Sequence, residues 1–445
     1  MKRSLILVLF STAFIIACGA NKSVIKNNVS GGDAEAKFIS EECCVKSEEV
    51  YKNFAEAANW IEKLFEQNNA DAQYKLGIRY YTGDGVEKNH SEAVKWFRKA
   101  AEQGQDSAQF NLGICYYKGE GVGKSLAESA KWYKKAAEQG HADAQSVLGG
   151  HYYKGEGVEK NYSEAVKWYK KAAEQGHAEA LFNLGICYYK GEGVGKSLAE
   201  SAKWYKKAAE QGHAKAQYNL GVCYENGEGV EKNHSEAIKW YKKAAEQGHA
   251  SAQSVLGGYY YNGKGVEKDI VEAIKWFRKG AEQGHAEAQY NLGVCYENGD
   301  GVEKNLAEAI KWYKKAAEQG HAKAQSDLGL FYYEGDGVEK NIAEAVKWFK
   351  KAAEQGNTKA QYNLGVCYYS GEGVEKNLVE AAKWIKKAAV HGHVKAQSVL
   401  GLLYYEGDGV EKNVAETVKW FRKAAEQGNA EAQYNLGVCY EKGEG

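Results

Sequence analysis

Residues 214–249 read AKAQYNLGVCYENGEGVEKNHSEAIKWYKKAAEQGH, and the same sentence recurs along most of the chain at one spacing. Trp60, Trp96, Trp132, Trp168, Trp204, Trp240, Trp276, Trp312, Trp348, Trp384 and Trp420 are all of the tryptophans, and each lies 36 residues after the last. A fixed period of that length marks stacked units, each burying its apolar face on its neighbours. The 445 residues are therefore read as one elongated all-α domain, where length alone would suggest about three globular ones.

Two helices are legible in each unit. Ala216, Leu220, Gly221, Cys223 and Tyr224 recur at helical spacing and define the first. Gly221 costs such a helix about 1 kcal/mol, yet its equivalent stands in every copy from Gly77 to Gly437, which marks a close backbone approach between helices. Gly227-Glu228-Gly229-Val230 then breaks the period, because glycine adopts the left-handed angles that end a helix. Asn233, with Glu236 three residues on, is a capping-box pattern. It predicts that the Asn side chain accepts from a backbone N–H while the Glu reaches back to the cap. Ala237, Trp240, Tyr241, Ala244 and Ala245 follow as the core-facing stripe of the second helix. Its outer face pairs Glu236 with Lys239 and Lys242 with Glu246. A buried indole removes about 150 to 250 Å² from water, so the tryptophans from Trp96 to Trp420 are assigned to the core.

Residues 51–69, with Ala57, Trp60, Ile61 and Leu64, read as a lone second helix. Ten complete units fill 70–429, and 430–445 supply a first helix and its hairpin. Neither end carries a polar capping helix. The carboxy-terminal face is therefore expected to be covered by another chain, end to end, or by the continuation of a longer array. Copies are of two kinds, Tyr218–Cys223 exemplifying YNLGVC and Ser254–Tyr259 exemplifying SVLGGY. Asn219 with Cys223, and Val255 with Tyr259, are four residues apart, so the two substitutions look coupled by volume on one helix face.

The amino end is different. Lys2 and Arg3 precede an apolar run from Leu5 to Ala17, then Cys18. Thirteen residues are too few to span a bilayer as a helix, which takes about 20. Residues 1–17 thus read as a signal peptide and 18–50, polar and without helical period, as a tether. The balance of 59 Lys plus Arg against 59 Asp plus Glu leaves no field that would steer the chain to nucleic acid or an anionic membrane. Loss of the signal would leave 57 cations against 59 acids, a net charge of −2.

The pattern A-x-A-Q-Y-N-L-G-V-C-Y, then G-x-G-V, then A-x-x-W-Y-x-x-A-A-x-x-G resembles the Sel-one-like repeat family, cousins of the tetratricopeptide repeats, across residues 51–445. Tetratricopeptide units run 34 residues, and the longer period here favours the Sel-one-like kind. The resemblance implies a right-handed α/α superhelical solenoid that serves as an adaptor for protein partners, without cofactor or chemistry of its own. The string Ile15-Ile16-Ala17-Cys18 likewise resembles a bacterial lipoprotein signal. It implies lipidation of Cys18 and, since Gly19 rather than aspartate follows, attachment at the outer membrane; an ordinary secretory signal is the alternative.

Candidate chemistry is thin. Lys118 to Ser125 ends like a phosphate-binding loop, but Lys118 stands where the motif needs glycine and no strand precedes it; Ser125 is read as a helix cap. Cys115, Cys187, Cys223, Cys295, Cys367 and Cys439 share one repeat position and read as small core residues. His141, His177, His213, His249, His285 and His321 form a row, one per unit, which cannot converge on a metal. They are expected to satisfy backbone groups at the helix junction. In the cousin family the first helices line the concave side. The positions there that the core does not claim are Tyr218, Asn219, Val222 and Glu225, with equivalents such as Tyr290, Asn291, Tyr362 and Asn363. Stacked, these rungs suit an extended peptide, with aromatic area for affinity and amides for backbone hydrogen bonds. The alternative is that Tyr218 and its equivalents pack between units. The functional expectation is a lipid-anchored envelope scaffold for a protein or peptide partner. Two alternatives stand beside it, binding of peptidoglycan by the tyrosine-rich surface and, from claims attached to some secreted relatives, a β-lactamase-like hydrolase of cell-wall metabolism.

Overall fold

The computed structural model describes residues 69–443. The signal, Cys18, the tether and the half-unit helix with Trp60 lie outside the described residues, save Asn69. Among the described residues there are twenty-one α-helices and no strand, each helix 13 residues long except the last, which has 12. The chain is an all-α helical solenoid of repeated helix pairs, in which Ala214–Asn226 is a first helix and His234–Glu246 its second. It divides into two compact units, residues 1–136 and 137–445, and the same helix pair recurs in each. No helix of the described residues is long and apolar enough to cross a membrane.

The core is built between consecutive pairs. Trp276 shares a buried cluster with Ala237 and Tyr241 of the preceding pair's second helix and with Leu256 and Tyr259 of its own first helix. Trp420 does the same with Ile385 and Leu400. Seven of the described indoles are 4 to 8 % exposed, whereas Trp96, Trp204 and Trp312 are half-buried. The outer wall of each indole is roofed by a lysine one turn on, Lys243 Nζ lying 4.4 Å from the Trp240 ring centre. The lysine stem covers apolar surface while its charge stays wet.

Gly221 makes room for a ring more than for backbone. A Cβ there would lie 2.6 Å from the Tyr241 ring, and at every equivalent from Gly77 to Gly401 the nearest second-helix side-chain atom is 2.4 to 2.8 Å away. The second glycine of the hairpin does make a backbone approach. Gly229, at φ +75°, has the Leu198 carbonyl oxygen 2.0 Å from the place of its missing Cβ, so the hairpin of one pair rests on the start of the previous pair's second helix. Only glycine fits that geometry.

Half of the expected capping box forms. The Asn233 side chain accepts from the Glu236 N–H at 3.1 Å. The Asn233 N–H, however, donates to the Tyr224 carbonyl at 2.8 Å, closing the hairpin. Glu236 therefore has no cap N–H to take and accepts from Lys239 instead, at 3.2 Å. Ser125 and Ser197, the residues at the ends of the loop-like strings, cap Glu128 and Glu200 in the same way.

At the first helix the cap is a histidine. His249 has extended backbone angles, and its Nδ1 accepts from the Ala252 N–H at 3.2 Å. His141, His177, His213, His285, His321 and His393 repeat the arrangement. Asn357 and Asn429 do so through Oδ1.

Candidate functional site

The face made by successive first helices carries the residues singled out above. Tyr218, Asn219 and Val222 come together in a cleft of about 420 Å³ between the first helices Ala178–Lys190 and Ala214–Asn226. The facing wall is Ile186, Tyr189 and Lys190, and Tyr205 with Cys223 lies at the back. Tyr362, Asn363 and Val366 line a second cleft, of about 190 Å³, against Leu330, Tyr333 and Glu334, with Phe349 and Cys367 behind. Each named residue of the second cleft stands 144 positions after its counterpart in the first, so the two are one design repeated four units apart.

A cysteine stands at the back of both clefts. At other junctions the same position holds Tyr259 or Phe331, whose rings pack on the preceding second helix, 6.0 Å from Tyr241 and 5.8 Å from Tyr313. A thiol fills far less, and the hollow beside Tyr205 or Phe349 remains. Tyr241 is flanked by Tyr218 of its own unit, at 5.6 Å, and by Tyr259 of the next.

Tyr218 both packs and lines the cleft. Its ring is half-buried, stacked at 4.7 Å on His249, the last residue of its own unit and the cap of the next first helix, and it also forms part of the cleft wall. Tyr362 stacks on His393 in the same manner. Tyr290 differs: it stacks on His321, and its hydroxyl donates to Asp327 at 3.1 Å. Burial first, then Tyr290 acting the other way, leaves the Asp327 carboxyl above its usual range. Asn291 sits beside Tyr290, half-buried.

The cleft offers contact more than reactivity. Burial pushes the Cys223 thiol up to about 12 and the Cys367 thiol up to about 11. The Tyr205 hydroxyl is likewise raised to about 12, chiefly by burial. Among the described residues no three His, Cys, Asp or Glu side chains are grouped so as to hold a metal. The second-helix ring behind each cleft and the wall from the preceding unit were not evident from one unit read alone. The signal that could have found them is the recurrence of small Cys where sister units carry Tyr259, Phe331 or Leu403.

Consecutive stretches from 70–105 to 394–429, and then 430–445, match the family model described as Sel1 repeat. Among solved structures, the chain is similar to a protective antigen of uropathogenic Escherichia coli displaying an SLR fold. The two are 41% identical, the match covers 87% of this chain and 83% of that one, and the TM-score is 0.78. It is also similar to a Sel1 repeat protein from Oxalobacter formigenes, 35% identical over 70% of this chain and 90% of that one, with TM-score 0.55. No curated protein matches the chain.

Proposed function

The chain belongs to the Sel1 repeat family, solenoids that typically mediate protein–protein interaction, and on that premise we propose that it is a non-catalytic scaffold. It holds an extended segment of a partner protein along the face of its first helices. The observation that carries this reading is the twice-built cleft, an aromatic-walled hollow with an amide, Asn219 or Asn363, at its edge. An apolar side chain of the partner would seat beside Tyr205 or Phe349, and the amide would pair with its backbone.

The test fills the hollow with a residue the array itself tolerates there. The double variant C223F/C367F should keep its helicity, because Phe331 already occupies the equivalent position. Partner binding, measured by anisotropy or calorimetry, should fall at least tenfold. Unchanged binding would remove the groove from the account.

The same proposal places the scaffold in the cell envelope, held by a lipid on Cys18, on the strength of Lys2, Arg3 and the run ending Ile15-Ile16-Ala17-Cys18. Metabolic labelling with palmitate, lost in C18S, is the measurement.

A further inference from the structure

A tyrosine near the end of a first helix donates to an acid 39 residues on, in the next unit's hairpin: Tyr81 to Glu120, Tyr153 to Glu192, Tyr261 to Asp300, Tyr333 to Glu372 and Tyr369 to Asp408. Tyr189 and Glu228 have the same spacing, yet Glu228 Oε2 is buried without a hydrogen-bond partner. The Tyr189 hydroxyl is near enough for the Glu228 charge to be the first cause of its raised pKa, but its ring is 40% exposed and that oxygen stays unmet.

Glu228 also lacks the cation that earlier hairpins supply. Lys118, Lys154 and Lys190 lie 3.6 to 3.8 Å from Glu120, Glu156 and Glu192. Asn226 stands in that lysine's place beside Glu228, and its amide reaches only the other oxygen, Oε1, at 3.3 Å. A buried carboxylate oxygen with no donor is costly, and native folds leave few of them.

This open acid forms part of the larger cleft, where it stands with Tyr189, Tyr205 and Tyr218. Lys190, the cation among the residues lining that cleft, is already engaged: its Nζ donates to the Tyr153 hydroxyl at 3.1 Å and lies 3.8 Å from Glu192. Its charge is therefore balanced within the array, whereas that of Glu228 is not. Tyrosine faces attract cations, most strongly where water is thinned out, and a carboxylate makes a strong charge-assisted bond to a cationic N–H.

We propose that the first cleft is a socket for one basic side chain, arginine or lysine, of the partner polypeptide. Its apolar stem lies against Ile186, Val222 and the tyrosine rings, and its cationic head donates to Glu228. This rests on the groove reading above and gives one anchor of the partner a charge. The second cleft makes no such demand, since Tyr333 closes Glu372 at 2.7 Å, and its smaller hollow of about 190 Å³ keeps an uncharged side chain.

The probes are short synthetic peptides identical but for a central arginine, lysine or norleucine, titrated into the full chain by calorimetry. The two basic peptides should bind at least about tenfold tighter than the norleucine one, and the margin should shrink as salt is raised. E228Q removes the charge and keeps the shape, so in it the margin should vanish. N226K restores the lysine that sister hairpins carry, so the array itself should occupy Glu228 and the margin should again vanish. E372Q should leave the margin intact. Equal binding of the three peptides, a basic preference that survives E228Q or N226K, or no binding of the basic peptides at millimolar concentration overturns the socket. C223F, which fills the hollow behind the cleft, separates the two readings. If it weakens none of the three peptides, the groove is wrong; if it weakens all three while the parent shows no basic preference, the groove stands and the socket does not.

Discussion

His249 and Tyr218 lie face to face, ring centres 4.7 Å and planes 20° apart, while His249 Nδ1 accepts the Ala252 N–H that opens the next helix. An acceptor nitrogen must be unprotonated, so the cap exists only as neutral imidazole. Burial, with Lys215 and His285 nearby, lowers the His249 pKa. Burial also leads for His285, where Glu287 opposes it and His321 adds to it, and for His393, beside Lys395 and Lys359. The folded chain thus resists protons that the unfolded chain accepts at about pH 6.5. The stability these groups give is complete above that value and is lost as pH falls through their lower folded values. Glu179 and Glu287, held below the usual carboxylate range first by hydrogen bonds to His213 and His321, add a second loss at lower pH. Thermal melts across pH should decline below about 6.5, and H249N/H285N/H393N, which copies the Asn357 cap, should flatten that first decline.

Two glycines of the first helices give opposite outcomes. At Gly221 an added methyl would sit 2.6 Å from the Tyr241 ring, but at Gly258, inside the helix Ala250–Asn262, nothing lies within 4 Å. G221A should destabilise by about 1 to 3 kcal/mol from overpacking. G258A should be neutral or stabilising by up to about 1 kcal/mol, the helix-propensity gain. Urea midpoints at constant m-value decide it, and equal destabilisation by both would contradict the ring-socket account.

How much was legible follows from where each interaction closes. The period of Trp96 to Trp420, the helix pair and the caps at Asn233 and Ser125 are local, and spacing alone carries them. The role of Gly221 needed the position of Tyr241, 20 residues on, because a missing side chain does not say what fills its place. The capping box was half read since the Asn233 N–H had a competitor, the Tyr224 carbonyl, that only the closed hairpin supplies. Tyr218 stacks on His249 and also lines the cleft, and its spacing alone did not reveal either contact. The clefts involve three helices from two units, so no single repeat contains them.

A glutamine ladder ties most first helices to their neighbours; Leu181 replaces the first glutamine of one rung, and another rung loses its second. Gln217 Nε2 donates to the Ala209 carbonyl at 3.1 Å, and its Oε1 accepts from Gln247 Nε2 at 2.7 Å. At the equivalent place His391 replaces the second glutamine, and the buried Gln361 Oε1 has no partner. An unmet buried acceptor costs about 1 to 3 kcal/mol. H391Q should therefore raise stability by about 1 kcal/mol, and Q247A should lower it by a similar amount. Calorimetric scans of both variants are the measurement, and a destabilising H391Q would refute the rung.

Cys223 and Cys367 stand at the back of the two clefts, and the chemistry of the repeated cysteines reports whether the stacked core opens. Burial pushes the thiols of Cys115, Cys187, Cys223 and Cys295 up to about 12 and that of Cys367 to about 11, with hairpin acids such as Glu228 adding to the effect. Alkylation goes through the thiolate, so at pH 8 these positions should react roughly a thousandfold more slowly than a free thiol. Iodoacetamide labelling of the native chain, read position by position by mass spectrometry, should leave all five unmodified on the timescale that labels the urea-unfolded chain completely. The five differ in their surroundings. Only Cys223 and Cys367 back the clefts described above, and Cys223 is 3% exposed while Cys367 is 1% exposed. A bound apolar side chain would cover both still further. If Cys223 alone reacted quickly, and a bound peptide then protected it, the first cleft would be a hollow that opens in solution. If all five reacted at one fast rate, the stacked core could not be intact between units, and the Trp240 and Trp276 clusters would have to be loose as well.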